Sequence, residues 1–561
     1  MSSFCRSQSE NGHGANSEKT QSSDNGSDRG SLHPTATGQS SALSRIESTI
    51  SVATQHYETS LSRIRSRRSG QTGPFTHPLT HTPTGSDVIV DFTGPDDPYQ
   101  PLNWSFKKKV VTTFLYGLTT MGTANIASYS IGATWASAVY SPGVDRIASQ
   151  FEVGHVVGSL GISLTLYGFG LGPLLWAPLS EVYGRKPAML TPYFIASLFC
   201  FASATSANIQ TLMISRFFIG FFASAPISNT GGVLNDIWSA EQRGPAMVGY
   251  AMAVVGGPIL GPIVGGAIVQ SYLGWRWTEY ITGIMMLTFL TLDVIFLDES
   301  YPKALLVAKA RKLRLESGNW ALHAKHEEWQ PSIMELGNKY LITPFRLLTT
   351  PICFLVALYA SFTYGILYLN LASFPLIFQR ERGWNQVVGA LPFLAILVGI
   401  LFGAFVNVFN QKFYLAKLKA NNNRPVPEAR LAPMMVGSVL FAASHFIIGW
   451  TSSRDIPWIA TCVGASCMGF GFFTIFQAGL NYLIDTFPTT SASAIGANTF
   501  LRSVFAGAFP LFAKAMYEGM GIPWASSLLG FVSVAMIPIP YLFYVFGRRI
   551  RAKGKWSRPS L

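Results

Sequence analysis

The sequence predicts an all-α integral membrane protein built from two sets of six spanning helices. Three observations carry that prediction. Asp, Glu, Lys and Arg make up only 12% of the 561 residues, about half the share in a soluble globular chain, while 49% are hydrophobic and mean hydropathy is +0.30. Twelve apolar stretches of roughly 18 to 28 residues follow one another from residue 109, and each is long enough to cross a hydrocarbon core of about 30 Å at about 1.5 Å per residue. The 52 Gly and the 40 Phe, 21 Tyr and 13 Trp suit helices that approach closely in lipid and aromatics that settle at its interfaces.

Residues 1–108 contain no apolar run and are rich in Ser, Thr, Gly and Asn. So little apolar surface cannot offset ordering entropy, so this segment reads as a disordered cytosolic tail, without the apolar core of a signal peptide. Its cluster Arg63, Arg65, Arg67 and Arg68 among serines fits either a phosphorylation-tuned membrane-surface segment or an inert solvated tail.

The N-terminal six-helix bundle occupies 109–298, with spans at 109–131, 155–177, 187–207, 211–234, 245–270 and 277–297. A cytosolic central loop, 299–348, separates it from the C-terminal six-helix bundle, 349–547. The spans there are 349–372, 386–410, 431–451, 456–484, 493–517 and 522–547, and a basic cytosolic tail, 548–561, follows.

Orientation follows from the basic residues. Arg185, Lys186, Arg243, the 303–314 group, the 412–430 group and Arg548 to Lys555 fall on one side, and only Arg146, Arg276, Arg380, Arg382 and Arg454 on the other. The positive-inside rule then puts both termini in the cytosol. The net charge of +13 is therefore loop patterning, and no nucleic-acid partner is expected. Cys5, Cys200, Cys353, Cys462 and Cys467 are scattered, which suits packing residues and neither a disulfide framework nor a metal site; no cofactor or metal is expected.

The two sets of six read as a tandem duplication. Gly274, Trp277 and Gly283 recur at the same spacing as Gly521, Trp524 and Gly530, and Asp236 with Pro262 has its counterpart in Asp485 with Pro510. Parallel halves with a cavity between them near the midplane form an architecture that exposes one site alternately to each side.

The loop after the second span reads Pro178-Leu179-Ser180-Glu181-Val182-Tyr183-Gly184-Arg185-Lys186-Pro187. Its carboxylate can reach a cation on a neighbouring helix end, and Gly184 permits the turn. This wording resembles the signature loop of the major facilitator superfamily, in particular the fungal drug:proton antiporters with twelve helices. Leu212 to Gly220 around Arg216, Gly257 to Gly266, Gly274-Trp275-Arg276-Trp277, Asn481 to Asp485, Arg502-Ser503 and Pro510-Leu511-Phe512 are similar to that group as well. The likeness spans about residues 100 to 550 and implies the major facilitator fold, two six-helix pseudo-repeats around a central cavity. The chain departs from the family pattern at Ala177, Val182 and Gly249, and the second-half loop has Asn407 where a carboxylate would stand; conformational locking is therefore expected mainly from the first half.

Arg216 lies inside a span, where an unpaired guanidinium costs at least about 2.5 to 3.5 kcal/mol, so it must face a polar cavity or a partner. Arg does not deprotonate, so it would act by biasing a carboxylate or neutralising a substrate, and the resemblance ties it to proton coupling; the alternative is an arginine that braces helices through backbone carbonyls. Glu181, Arg185 and Asp236 would form a cytoplasmic-side charge cluster that holds one state closed. The run Gly257, Pro258, Gly261, Pro262, Gly265 and Gly266 resembles the antiporter motif of exporters, and its small residues and kinks would seal a leak path or hinge the half. Asn125, Tyr129, Tyr364, Tyr368, Phe476, Gln477 and Asn481 are candidates to line the substrate cavity; Asp293, His445, Arg502 and Lys514 are further polar residues at membrane depth.

The expected function is proton-coupled efflux by alternating access of small organic compounds, largely apolar or cationic, such as antifungals or a secreted metabolite or toxin. No nucleotide-binding loop of the form G-x-x-x-x-G-K-[ST] is present to drive it, and no catalytic grouping suggests an enzyme. The expected partners are the substrate, protons and the bilayer, and the chain is expected to act as a monomer in the plasma membrane, with the vacuolar membrane as the other location. A polyamine or other metabolite carrier of the same superfamily, and a non-transporting membrane sensor, are the alternatives.

Overall fold

The computed structural model describes residues 88–94, 96–121, 134–239, 242–328, 333–422, 424–554 and 557. The basic cluster of the N-terminal tail, Cys5 and the cavity candidates Asn125 and Tyr129 lie outside the described residues.

Helices α1 (Phe106–Met121), α2 (Trp135–Ala138), α3 (His155–Leu171), α4 (Pro173–Tyr183), α5 (Arg185–Ala204), α6 (Ile209–Ile237), α7 (Arg243–Gln270) and α8 (Arg276–Phe296) form the first half. Helix α9 (Pro302–Ser317) lies in the central loop. The second half is α10 (Pro351–Phe374), α11 (Phe393–Ala420), α12 (Ala432–Trp450), α13 (Trp458–Thr486), α14 (Ser491–Met520), α15 (Ile522–Met536) and α16 (Pro538–Lys553). Among the described residues ten helical segments are long and apolar enough to cross a membrane, with α3–α4 and α15–α16 each counting as one. Helix α14, at 30 residues, is long enough as well but carries Arg502, Lys514 and Glu518, and the first predicted span coincides with α1 only in its described part.

Local chemistry sets the ends. The Asn208 side chain accepts from the Thr211 amide at 2.8 Å and starts α6, while Pro173, Pro302 and Pro351 open α4, α9 and α10, where a missing N–H costs nothing. Gly184 separates α4 from α5 at φ +99°, and a Cβ there would stand 2.6 Å from Glu299 Oε2, so both the turn and the close approach require glycine. Helix α11 runs ten residues past the predicted end at 410. Lys412 and Lys417 lie over the rings of Phe409 and Phe413 at 5.4 and 5.1 Å, and such snorkelling lets a helix continue out of the apolar layer.

The predicted tail boundary at 108 is too late. Val90 N donates to His323 O at 2.8 Å and His323 N to Val88 O at 3.0 Å, and Lys309 Nζ pairs with Asp97 at 2.6 Å and reaches Asp91 O at 3.1 Å. Val90, Ala310 and Ala324 bury a small apolar patch beneath. Burial raises the Asp97 carboxyl, but Lys309 and the donors of Thr93 and Tyr99 outweigh it and hold the group well below the usual carboxylate range. The polar composition of 88–105 concealed this docking because it rests on one ion pair and a two-bond bridge, with little apolar pattern to read.

The halves touch at three depths. Gln386 Nε2 donates to Pro142 O at 2.8 Å at one end, the Ser137 and Tyr368 hydroxyls share a 2.8 Å hydrogen bond in the middle, and Gly244 lies against Gln411 at the end carrying the basic loops. A cavity of about 120 Å³ beside the first contact is lined by Asp145, His155, Pro262, Gln379, Gln386 and Lys514 among others. Organic ligands usually occupy about 300 Å³ or more, so the cavity is smaller than such a ligand needs.

Candidate functional site

Arg216, on α6, is fully buried, and its surroundings explain how it is tolerated. Its Nη1 donates to Glu279 Oε1 at 2.9 Å and to Ala136 O at 2.8 Å, its Nε donates to Gly161 O at 3.2 Å, and its guanidinium carbon lies 4.4 Å from the Tyr140 ring centre. Both members of the ion pair are 0% exposed. Glu279, on α8, was not among the sequence candidates because it stands three residues into a span whose start is crowded with interface residues. The readable signal was a carboxylate inside the apolar run, with an intramembrane arginine needing a partner.

The Arg216 bond to Ala136 O connects the pair to α2, which three other interactions also fix. Trp135 Nε1 donates to Thr282 at 3.2 Å, and Ser137 meets Tyr368 of the second half. The third is the glycine run of α7: a Cβ would stand 2.4 Å from Thr134 Oγ1 at Gly257, 2.9 Å from Val139 N at Gly261 and 2.4 Å from Val139 O at Gly265. Pro258 and Pro262 lie within the same helix, and a Cβ at Gly266 would stand 3.3 Å from Gln386 O of the other half. At Gly249, one place off the family pattern, a Cβ would meet no neighbouring atom within 4 Å. The motif thus clasps α2 to α7, and its last glycine faces the opposite half.

At the end carrying the basic loops Arg185 and Asp236 come together, while Glu181 takes another partner. Arg185 Nε pairs with Asp236 at 3.1 Å, Nη1 donates to Ser180 at 2.9 Å, and the guanidinium lies 4.8 Å from the Tyr301 ring centre. Glu181 accepts from the Tyr340 hydroxyl of the central loop. Burial and that carboxylate push Tyr340 well above its ordinary range, so it remains a donor. Glu299, also missed in the sequence, accepts the Arg185 and Lys186 amides at 2.9 and 3.0 Å, a carboxylate against the N-terminus of α5.

The second half carries ion pairs of its own at the same end. Asn407 donates to Gly403 O, but Arg430 pairs with Asp485 at 3.0 Å, donates to Gln411 at 2.6 Å and lies 3.3 Å from the Tyr414 ring centre. Arg551 with Glu428 at 2.6 Å adds a further pair. The carboxylate absent at 407 is not replaced, but Arg430, in the loop equivalent to that of Arg185, pairs with Asp485 as Arg185 pairs with its repeat counterpart Asp236.

Of the cavity candidates, Tyr364, Tyr368 and Phe476 come together at mid-depth: Tyr364 lies 5.3 Å from Tyr368 and 6.4 Å from Phe476 between ring centres. Gln477, next to Phe476 in the chain, is buried with neither amide atom hydrogen-bonded. Asn481 stands apart, in a narrow cleft with Gly244, Asn407, Gln411 and Arg430. Arg502 joins the aromatic group, 4.6 Å from Tyr364 and 5.1 Å from Phe476. His445 bonds Phe441 O of its own helix at 2.7 Å. Asp293 is buried.

Among the described residues no group of three or more His, Cys, Asp or Glu could hold a metal ion. The arrangement offers a titratable carboxylate paired to a permanent cation, a set of separable ion pairs at one end, and an aromatic chamber with a second cation.

A family model described as Major Facilitator Superfamily matches residues 112–510. The chain is 51% identical over 477 residues to the efflux pump bik6 of Gibberella fujikuroi, covering 85% of this chain and 96% of that one. It is 40% identical over 510 residues to the citrinin biosynthesis cluster MFS transporter mrr1 of Monascus ruber, covering 90% and 98%. Among solved structures, the human organic anion transporter MFSD10 superposes with a TM-score of 0.51 at 16% identity, covering 79% of this chain and 100% of that one.

Proposed function

The chain belongs to the major facilitator superfamily, and from that premise we propose that this multi-pass membrane transporter is a proton-coupled exporter of small organic compounds, such as antifungals or a secreted secondary metabolite. The family and its relatives are transporters, not enzymes. Export is supported by the likeness to a fungal efflux pump and to a transporter of a biosynthetic cluster. The single observation that carries the coupling is the fully buried pair of Arg216 and Glu279.

Arg216 stays charged and Glu279 is the member that titrates. A proton on Glu279 cancels the pair and releases the guanidinium to shift its remaining bonds, of which Ala136 O is one. Because Ser137 carries the mid-depth contact with Tyr368, movement of α2 is felt by the second half. The pairs Arg185–Asp236 and Arg430–Asp485 hold the cytosolic side closed in one state and part in the other, a switch that needs only a few kcal/mol. In this reading both termini are cytosolic, residues 299–348 are a cytosolic loop, and the monomer works in the plasma membrane.

The test uses proteoliposomes holding the purified chain, with a panel of fluorescent compounds and flux followed with and without an imposed pH gradient. Gradient-dependent accumulation is expected. Flux indifferent to the gradient sinks the coupling, and no flux for any compound sinks the exporter.

A further inference from the structure

Arg502 differs from the other buried arginines. Arg216 and Arg551 each have a carboxylate partner and Arg382 donates to the carbonyls of Ile456 and Thr451, whereas Arg502, 7% exposed, receives only the ring faces of Tyr364 and Phe476. No hydrogen bond or ion pair to it is found among the described residues, and its Nε is buried without a partner. A guanidinium cannot shed its proton, so the site keeps a positive charge at membrane depth, where charge is expensive and functional by default. Contact with a ring face uses the charge and leaves the N–H donors unspent.

One more unspent polar atom lies a turn away: Oδ1 of Asn498, four residues before Arg502 on the same face of α14, is buried and unpartnered. The neighbouring wall is flat: the rings of Phe472 and Phe476 are nearly parallel at 6.1 Å, and Tyr364 lies 5.9 Å from Phe472. A planar cation with free donors, an idle amide oxygen and a stacked aromatic wall together complement one kind of molecule. We propose that Arg502 is the receptor for the substrate's charge, and that the exported compound is a flat aromatic organic anion whose carboxylate or phenolate pairs with Arg502 while its ring lies against this wall. This departs from the apolar or cationic substrate expected from the sequence. It rests on the exporter reading and narrows it, since a forked guanidinium–carboxylate pair is the strongest neutralisation open to such a site.

The test uses two dyes on the same xanthene ring: fluorescein, with a free carboxylate, and rhodamine 123, an esterified cation. Binding to the full chain in lipid nanodiscs is read by fluorescence anisotropy for the wild type, Arg502→Gln and Arg502→Lys. Fluorescein is expected to bind the wild type about tenfold or more tighter than rhodamine 123, to lose about tenfold in Arg502→Gln, and to recover part of that in Arg502→Lys, which keeps the charge without the fork. If Arg502→Gln does not fold, the wild-type dye preference and the partial loss in Arg502→Lys decide the question in its place. Equal or tighter rhodamine 123 binding, or fluorescein affinity unchanged in the Arg502 variants, overturns the proposal. Fluorescein that binds through Arg502 but is never moved supports the anion site and overturns the exporter; rhodamine 123 moved while fluorescein is not does the reverse.

Discussion

Replacing Glu279 by Gln probes the buried pair most sharply. At 2.9 Å the attraction of two unit charges in an effective dielectric of about 20 is on the order of 6 kcal/mol, and removing one member of a buried pair costs about 3–5 kcal/mol because the other charge stays behind. Gln keeps one acceptor for Arg216, and the carbonyls of Ala136 and Gly161 remain, so the expected loss is near the lower end, about 3 kcal/mol, or roughly a hundredfold in an equilibrium. The assay compares uphill, gradient-driven flux with gradient-free exchange in proteoliposomes, alongside thermal unfolding. Glu279→Gln should lower the unfolding midpoint and abolish gradient-driven accumulation while exchange persists. The double variant Arg216→Gln/Glu279→Gln, which leaves no orphan charge, should regain stability but not coupling. Full gradient-driven accumulation in Glu279→Gln would mean that the pair is a brace and carries no proton.

Three further expectations follow from the same geometry. Gly257→Ala and Gly265→Ala bring a Cβ to 2.4 Å from Thr134 Oγ1 and Val139 O, so each should cost about 1–3 kcal/mol and reduce the folded fraction surviving a heat step, whereas Gly249→Ala, with no atom within 4 Å, should not. Asp236→Asn and Asp485→Asn should each weaken closure of the end they share by about 1–2 kcal/mol, a factor of roughly 5 to 30, read as faster labelling of an introduced cysteine between Gly244 and Gln411; an effect confined to Asp236 would restore the one-sided lock. The Asp97 carboxyl is held below its unfolded value of about 3.9, so its contribution is full above that pH and fades as pH falls through the lower folded value. Hydrogen exchange at the Val90 amide should therefore stay slow at neutral pH and accelerate only in strong acid; early acceleration near pH 6 would contradict the clasp.

Much of this molecule was legible because the bilayer imposes one rule, that spanning backbone satisfies itself in helices. Spans such as 187–207 and 277–297 agree with α5 and α8 to within a few residues. Arg216, Arg185 and Asp236 were visible because a charge in or beside an apolar run has no cheap explanation. Their partners were harder to see: Glu279 hid among the interface residues of Trp275 to Tyr280, and Glu299 lies 114 residues from the amide it caps. The Arg430–Asp485 pair was masked by the empty carboxylate position at Asn407, because a repeat can keep one ion pair of a loop after losing another of its acids. The solitude of Arg502 could not be read from sequence at all, since a missing partner is a property of three-dimensional packing.

If the buried pair of Arg216 and Glu279 couples the two fluxes, substrate and protons move in opposite directions through one cycle. That exchange is measured by imposing a gradient of whichever xanthene dye the wild-type chain moves, with no initial pH difference, and recording the internal pH of the proteoliposomes. Dye running down its gradient should drive protons the other way, so that the internal pH changes with wild-type protein and not with Glu279→Gln. Dye flux with no change of internal pH would mean that the chain does not exchange its substrate for protons.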